Sequence, residues 1–268
     1  MTTEAIDIQT LRKQLRLRIL SLYNQAHAGH IGCSLSCIDL MIATLVLRKR
    51  PQDTFLLSKG HAAAALYACL NHLGDISDEE LTTFYQNGTT LPAHPAPNKH
   101  RGIPFATGSL GHGLPIGAGI AHAGKLLGDD SFVYVLMSDG ETNEGTTWEA
   151  AHFACQHKLD NLVVLVDKNG LQGFGNTADV FGDTAAVRTW EAIGFETVEV
   201  DGHDVDTLTA TLDSLQSGSA GAGKPKMVIA HTVKGKGVSY MENRMEWHYL
   251  PMTPAQYEQA CDDVTAGF

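Results

Sequence analysis

Asp139 and Asn169 each close an apolar run and each precede a glycine. Phe132-Val-Tyr-Val-Leu-Met137 runs into Ser138-Asp139-Gly140, and Leu162-Val-Val-Leu-Val166 runs into Asp-Lys-Asn169-Gly-Leu171. Two short β-branched runs separated by one helix-length segment read as parallel strands with a crossover helix. Ligands of such sheets bind beyond the carboxyl ends of the strands, where both residues fall. A carboxylate and an amide oxygen together suit a hard cation such as Mg2+, which takes oxygen ligands and is commonly shared with substrate phosphates. Asp-Gly or Asn-Gly alone is most often only a turn. The joint pattern, with Glu144-Gly145 between the two, points to a metal–diphosphate site.

The elements that must position these residues follow from periodicity. Leu11 to Ala26 reads as an opening helix, apolar on one side and charged on the other. Cys37 to Leu47 reads as a second, buried helix, Thr54 to Ser58 as a short strand, and His61 to Leu73 as an alanine-rich helix. Residues 86 to 113 hold four prolines, five glycines and three histidines. A loop that long inside a compact domain is more often functional than idle. A helix over Leu114 to Leu127, strand 132–137, helix 146–158 and strand 162–166 follow, with further strands at Glu196–Val200 and Met227–His231. Strands alternating with helices predict an α/β fold, one doubly wound parallel sheet with helices on both faces, over a single domain spanning residues 1–268. Ser217 to Gly223 reads as a flexible turn rather than a domain linker.

Composition narrows the function classes. A net charge of −11 argues against nucleic acid or an anionic membrane as partner, so phosphates must be bound by local donors. Five cysteines without framework spacing suggest reduced thiols and a cytoplasmic location. Cys33 and Cys37 lack a second metal-spaced pair and read as buried packing. The charged first twenty residues lack the apolar core of a signal peptide, and Cys37–Leu47 is too short to span a bilayer. Lys234-Gly-Lys-Gly237 lacks the Walker pattern and reads as a loop closing over a site.

The pattern Asp139-Gly-x3-Glu144-Gly with Asn169 thirty residues after the aspartate resembles the thiamine diphosphate signature of the transketolase family, with Ser138 in place of the usual first glycine. Other segments agree with the same family. Gly29-His30-Ile31-Gly32 is similar to its Gly-His-Pro-Gly element, and Ser58-Lys59-Gly60-His61 to its Ser-x-Gly-His. His94-Pro95 sits in a proline-rich loop, as in the family. Gly108-Ser-Leu-Gly111-His112-Gly113 resembles its Gly-x-Leu-Gly-x-Gly loop, and Glu246-Trp247-His248 its Ser/Glu-Trp-His. The motifs run in family order over about residues 15 to 260.

The resemblance implies thiamine diphosphate and Mg2+ (Ca2+ or Mn2+ substituting) as cofactors. Asp139, Asn169 and the Leu171 carbonyl would hold the metal. His61, Gly108, Leu110, Gly111, Asp139, Gly140, Glu144 and Asn169 would surround the cofactor, Leu110 against its aminopyrimidine ring and the backbone near Gly140 facing its diphosphate. His30, His61, His94 and His248 would act on substrate hydroxyls, imidazole being able to donate or accept near neutral pH. His112 takes a loop position where the family often has glutamine, and the remaining histidines have no motif support. The activity implied is transfer of a two-carbon glycolaldehyde unit from a ketose, usually phosphorylated, to an aldose, with the cofactor as electron sink. With twenty residues after His248, the chain is expected to lack the pyrimidine-binding domain and its cofactor-activating glutamate. A C-terminal transketolase subunit would supply both, in an α2β2 assembly. Three alternatives stand: the α subunit of a 2-oxo-acid dehydrogenase, 1-deoxyxylulose-5-phosphate synthase, and a non-enzymatic binding module. The first lacks the histidine elements as a set, and the second is normally one long chain. The third is disfavoured by intact Asp139, Asn169 and His61. A split transketolase for a branched or sulfonated sugar would keep the same motifs.

Overall fold

The β-branched runs that predict strands all form strands. In the computed structural model, which describes residues 7–97, 100, 102–217 and 223–268, they build a five-stranded parallel sheet. In chain order the elements are α1 Ile8–Ala26, α2 Ile31–Met41, β1 Thr54–Leu57, α3 Ala63–His72, α4 Asp78–Leu81, α5 Gly113–Leu127, β2 Val133–Ser138, α6 Gly145–Gln156, β3 Leu162–Lys168, α7 Thr177–Phe181, α8 Val187–Ile193, β4 Glu196–Asp201, α9 Val205–Gln216, β5 Lys226–His231 and α10 Pro254–Gly267. The strand order is β1-β2-β3-β5-β4, with Val133 opposite Leu162 and Val164 opposite Met227. Alternate residues serve two cores. Tyr134, Leu136, Val163 and Leu165 pack with α1, α2, α3, α9 and α10, while Val133, Val135, Val164 and Val166 pack with α5, α6 and α8. This is the doubly wound α/β arrangement expected. Most of the Ser217–Gly223 turn lies outside the described residues.

Two differences from the expected elements have physical causes. The second helix begins at Ile31, six residues before Cys37, and runs through Met41 into a π-helical turn, Ile42–Val46. Every residue of α2 is buried, so its sequence carries no amphipathic period to mark its start. Asp39, the one charge in that apolar stretch, is held by Arg12, Arg16 and His203 and ties α1 to α2. Helices α4 and α7 to α10 were not expected. Of these α10 carries a legible signal, Thr253 and Gln256 forming a capping box around Pro254.

Candidate active site

The carboxyl ends of β1, β2, β3 and β5 open onto a cavity of about 440 Å3. On one side lie Asp139, Gly140, Glu144, Asn169 and Leu171; on the other, His30, His61, His94 and His248. Residues separated by more than two hundred positions are thus gathered because the parallel strands all end at the same edge.

Asp139 is buried at the end of β2. Its Oδ1 accepts from Gly140 N at 2.8 Å, and its Oδ2 from Gly170 N at 2.7 Å and Thr177 Oγ1 at 3.0 Å. Burial, with the charge of Asp167 beside it, pushes the Asp139 carboxyl up. Its neighbours are N–H and O–H groups, which stabilise the charge without cancelling it. A divalent cation beside Asp139 would cancel it, so this donor set fits the metal that the sequence implies. No group of three or more His, Cys, Asp and Glu side chains is placed to hold a metal among the described residues. A cation here would therefore rest on one carboxylate, the Asn169 amide and a backbone carbonyl, the remaining positions being open to phosphate and water. The Leu171 carbonyl also accepts from Lys234 Nζ at 3.0 Å, and its second lone pair is left for a further partner.

The four histidines form one cluster. Ring centroids lie 5.6 Å apart for His30–His61 and His30–His94, 5.3 Å for His30–His248 and 5.5 Å for His61–His248. His30 is set by a left-handed backbone (φ 72°) at the start of α2, its N–H donating to the His248 carbonyl at 3.1 Å. Glycines make the approach possible: a Cβ on Gly60 would come 2.6 Å from the carbonyl carbon of Thr107, and one on Gly108 2.7 Å from the His94 ring. Burial lowers His30, His61 and His248 each to about 4, with Lys59 adding to it at all three and Lys234 at His30 and His248, and also lowers His94. At neutral pH His30, His61 and His248 are therefore uncharged imidazoles, able to exchange protons in either direction, and His94 is shifted the same way.

The loop residues divide. Gly108 and Leu110 line the cavity, but Gly111 stands behind it, its N–H donating to Glu141 Oε1 at 2.8 Å and its carbonyl accepting from Thr146 Oγ1 at 2.8 Å. The Gly140 N–H, expected to face a diphosphate, is occupied by Asp139. Glu144 lines the cavity and precedes α6 without capping it. His112 is exposed and outside the cavity. The Lys234 loop is packed rather than closing from outside: Gly235 N donates to the Gly32 carbonyl at 3.0 Å. Lys234 reaches through to within 3.1 Å of His248 Nδ1.

Sequence reasoning missed Lys59, Cys33, Asp167, Glu141 and Tyr249. Lys59 and Asp167 form a fully buried ion pair beneath the cavity. Cys33 Sγ lies 3.5 Å from His248 Nδ1. Glu141 joins Ser58 to Gly111, and the Tyr249 hydroxyl donates to the Gly173 carbonyl at 2.5 Å. Lys59 and Asp167 lie within or beside quoted motifs, so position alone could have flagged them. Tyr249 had no local signal beyond following His248.

Residues 8–263 match the family model described as transketolase, thiamine diphosphate binding domain. The chain belongs to the transketolase family. It is 38% identical to an apulose-4-phosphate transketolase subunit from Actinobacillus succinogenes over 96% of each chain. It is 32% identical to a 6-deoxy-6-sulfo-D-fructose transketolase subunit from a Clostridium species over 98% of each. Among solved transketolases, that of Campylobacter jejuni superposes with a TM-score of 0.85 at 32% identity, covering 98% of this chain and 43% of that one. The Pichia stipitis enzyme complexed with sedoheptulose 7-phosphate gives 0.87 at 28%, covering 97% and 43%. The chain thus spans nearly the whole length of curated transketolase subunits and about two fifths of the long transketolase chains.

Proposed function

We propose that this chain is the N-terminal subunit of a split transketolase, moving a two-carbon ketol unit from a ketose to an aldose with thiamine diphosphate and Mg2+. The observation that carries the reading is the convergence of four histidines and the Asp139–Asn169 corner on one cavity. When bound, thiamine diphosphate supplies the electron sink for cleaving the carbon–carbon bond beside a ketose carbonyl. The chain's own groups do the rest. Asp139, Asn169 and the Leu171 carbonyl hold the metal (Ca2+ or Mn2+ substituting), and Gly108, Leu110, Gly140 and Glu144 border the cofactor, with Gly111 fixing the loop from behind. His30, His61, His94 and His248 take and return protons at sugar hydroxyls, a role that suits imidazoles free of charge at neutral pH.

The relatives matched over nearly their whole length are named as transketolase subunits, which favours a C-terminal subunit that carries the pyrimidine-binding domain and its glutamate and completes the site, in an α2β2 assembly. All five cysteines are free, which favours a reducing, cytoplasmic setting. Among the described residues no helix is long and apolar enough to cross a membrane. The full-length relatives are named for apulose 4-phosphate and 6-deoxy-6-sulfo-D-fructose, which favours a modified sugar over ordinary pentose and hexose phosphates. The test is ketol transfer by the complex with its partner subunit. Cofactor- and Mg2+-dependent product from any ketose and aldose pair supports the reading; failure with modified and ordinary sugars alike, in a complex that binds cofactor, counts against it.

A further inference from the structure

Asn169 offers a cation its amide oxygen only if the amide is held one way round. Its Nδ2 donates to Asp167 Oδ2 at 3.3 Å, and its Oδ1 accepts from Leu171 N at 3.1 Å. An amide nitrogen cannot accept and an ionised carboxylate cannot donate, so both neighbours specify the same orientation. Asp167 is itself fully buried and over-determined. It accepts from Ser36 Oγ of α2 at 2.6 Å, from Lys59 after β1, and from Thr232 after β5. Lys59, also fully buried, donates in addition to the Cys33 carbonyl at 3.2 Å. Three elements around β3 therefore each spend a donor on one carboxylate. Asp139 lies beside it just past the end of the neighbouring strand β2, whose last residue Ser138 is in register with Asp167. Lys59 is committed to Asp167, while Asp139 is met by Gly140, Gly170 and Thr177.

We propose that Asp167, held by Lys59, Ser36 and Thr232, is a positioning residue that locks the Asn169 amide with its oxygen toward the cation, and that pairing Lys59 with Asp167 leaves Asp139 as the carboxylate available to that cation. The inference rests on reading the cavity as a metal–diphosphate site and adds to it the residues that orient a ligand without touching the metal. It explains why an ion pair that costs desolvation is kept beneath the site: replacing it with apolar groups would leave the amide free to turn.

Exchanging the two side chains tests it. Asp167→Asn, Asn169→Asp and the double variant are compared with the wild-type chain, each assembled with its partner subunit. Thiamine diphosphate affinity is measured by calorimetry at fixed Mn2+, and thermal unfolding is followed in parallel. Asp167→Asn should weaken Mn2+-dependent binding by about tenfold or more, the usual effect of losing a partner behind a metal ligand. Asn169→Asp alone should also weaken it, because a second carboxylate then faces Asp167. The double variant should recover most of the affinity, since a carboxylate at 169 presents oxygen either way round and no longer faces a second carboxylate at 167. Wild-type affinity in Asp167→Asn overturns the inference. So does a double variant that melts like wild type yet binds no better than the folded single variants. If Asp167→Asn does not fold, the double variant decides: folded and binding supports the inference, folded and blind to Mn2+ overturns it. A wild-type complex without metal-dependent binding would instead remove the underlying reading of the site, and the inference with it.

Discussion

Asp139 combines two duties that the sequence could not separate. It is the proposed metal ligand, and it also receives three hydrogen bonds that fasten the turn after β2 to Gly170 and Thr177. Asp139→Asn should abolish metal-dependent cofactor binding and also lower stability by about 1–3 kcal/mol, because an amide cannot accept at all three positions. Calorimetry and thermal unfolding on the same preparation check both halves, and unchanged cofactor affinity would refute the assignment. The histidines predict a pH response. His30, His61 and His248 sit near 4 in the fold and at about 6.5 when unfolded. Between those values the unfolded chain binds more protons. Their contribution to stability is therefore complete above about 6.5 and is lost as pH falls toward 4. The melting temperature of the ligand-free protein should drop over that window, and His30→Asn or His61→Asn should flatten the slope. Cys33 behaves oppositely to its fellow thiols. Burial alone would push it up, but the charges of Lys234 and Lys59 and a hydrogen bond with His61 outweigh burial and bring it to about 6, whereas burial lifts Cys37 to about 12 and Cys155 to about 11. A titration of thiolate ultraviolet absorbance should show one step near pH 6 that Cys33→Ser removes. A first step no lower than the ordinary thiol value of about 8.5 would contradict the cation cluster.

Elements were legible in proportion to how one-sided they are. Strands β2 and β3 announce themselves as β-branched runs and α1 as an amphipathic stripe, whereas α2, buried on all sides, hid its first turn, and with it the reason His30 sits at a helix start. The ligand-bearing turns after β2 and β3 were readable because glycine and the polar residue lie together in sequence. The scaffolding beneath them was not: Lys59 and Asp167 meet across 108 positions, and no local pattern encodes that pairing. Glycines were half legible. The sequence marks the Gly108–Gly113 loop as a place of close approach, but at Gly111 and Gly113 the close neighbours are Glu144, Thr146 and Ser58 rather than open cavity. Gly108 is the sharper case, with φ +133° and the His94 ring against the position of a Cβ. Gly108→Ala should displace His94 and lower turnover of the assembled enzyme by about tenfold to a hundredfold, as small misplacements of a reacting group do, with the far-ultraviolet circular dichroism unchanged. Normal turnover would show that the His94 position does not matter to the chemistry.

At the scale of the molecule, the acidic surface and the histidine-rich cavity are separate features of one chain, and the rim of the cavity is neither. Phe174 is 88% exposed and Phe181 68%, with Tyr249 and Leu250 about half exposed nearby in sequence to His248. Phe174, Phe181 and Tyr249 all border the opening of the cavity. Large apolar side chains gathered at the mouth of a site mark a surface that another chain covers. On the proposed reading that chain is the partner subunit, and the cofactor is enclosed only when it docks. The isolated protein should therefore show no ketol transfer with Mg2+ and thiamine diphosphate, and activity should rise on titrating in the partner and saturate near one to one. Phe174→Asp should leave the thermal transition of the isolated chain in place, because so exposed a ring contributes little to its core. It should weaken association with the partner by about tenfold or more, as loss of a central aromatic anchor does. Sedimentation or light scattering of the mixed subunits reads that association directly. Turnover by the isolated wild-type chain would end the split-subunit reading, whereas wild-type association of the Phe174→Asp chain would move the docking surface elsewhere and leave the catalytic cavity as described.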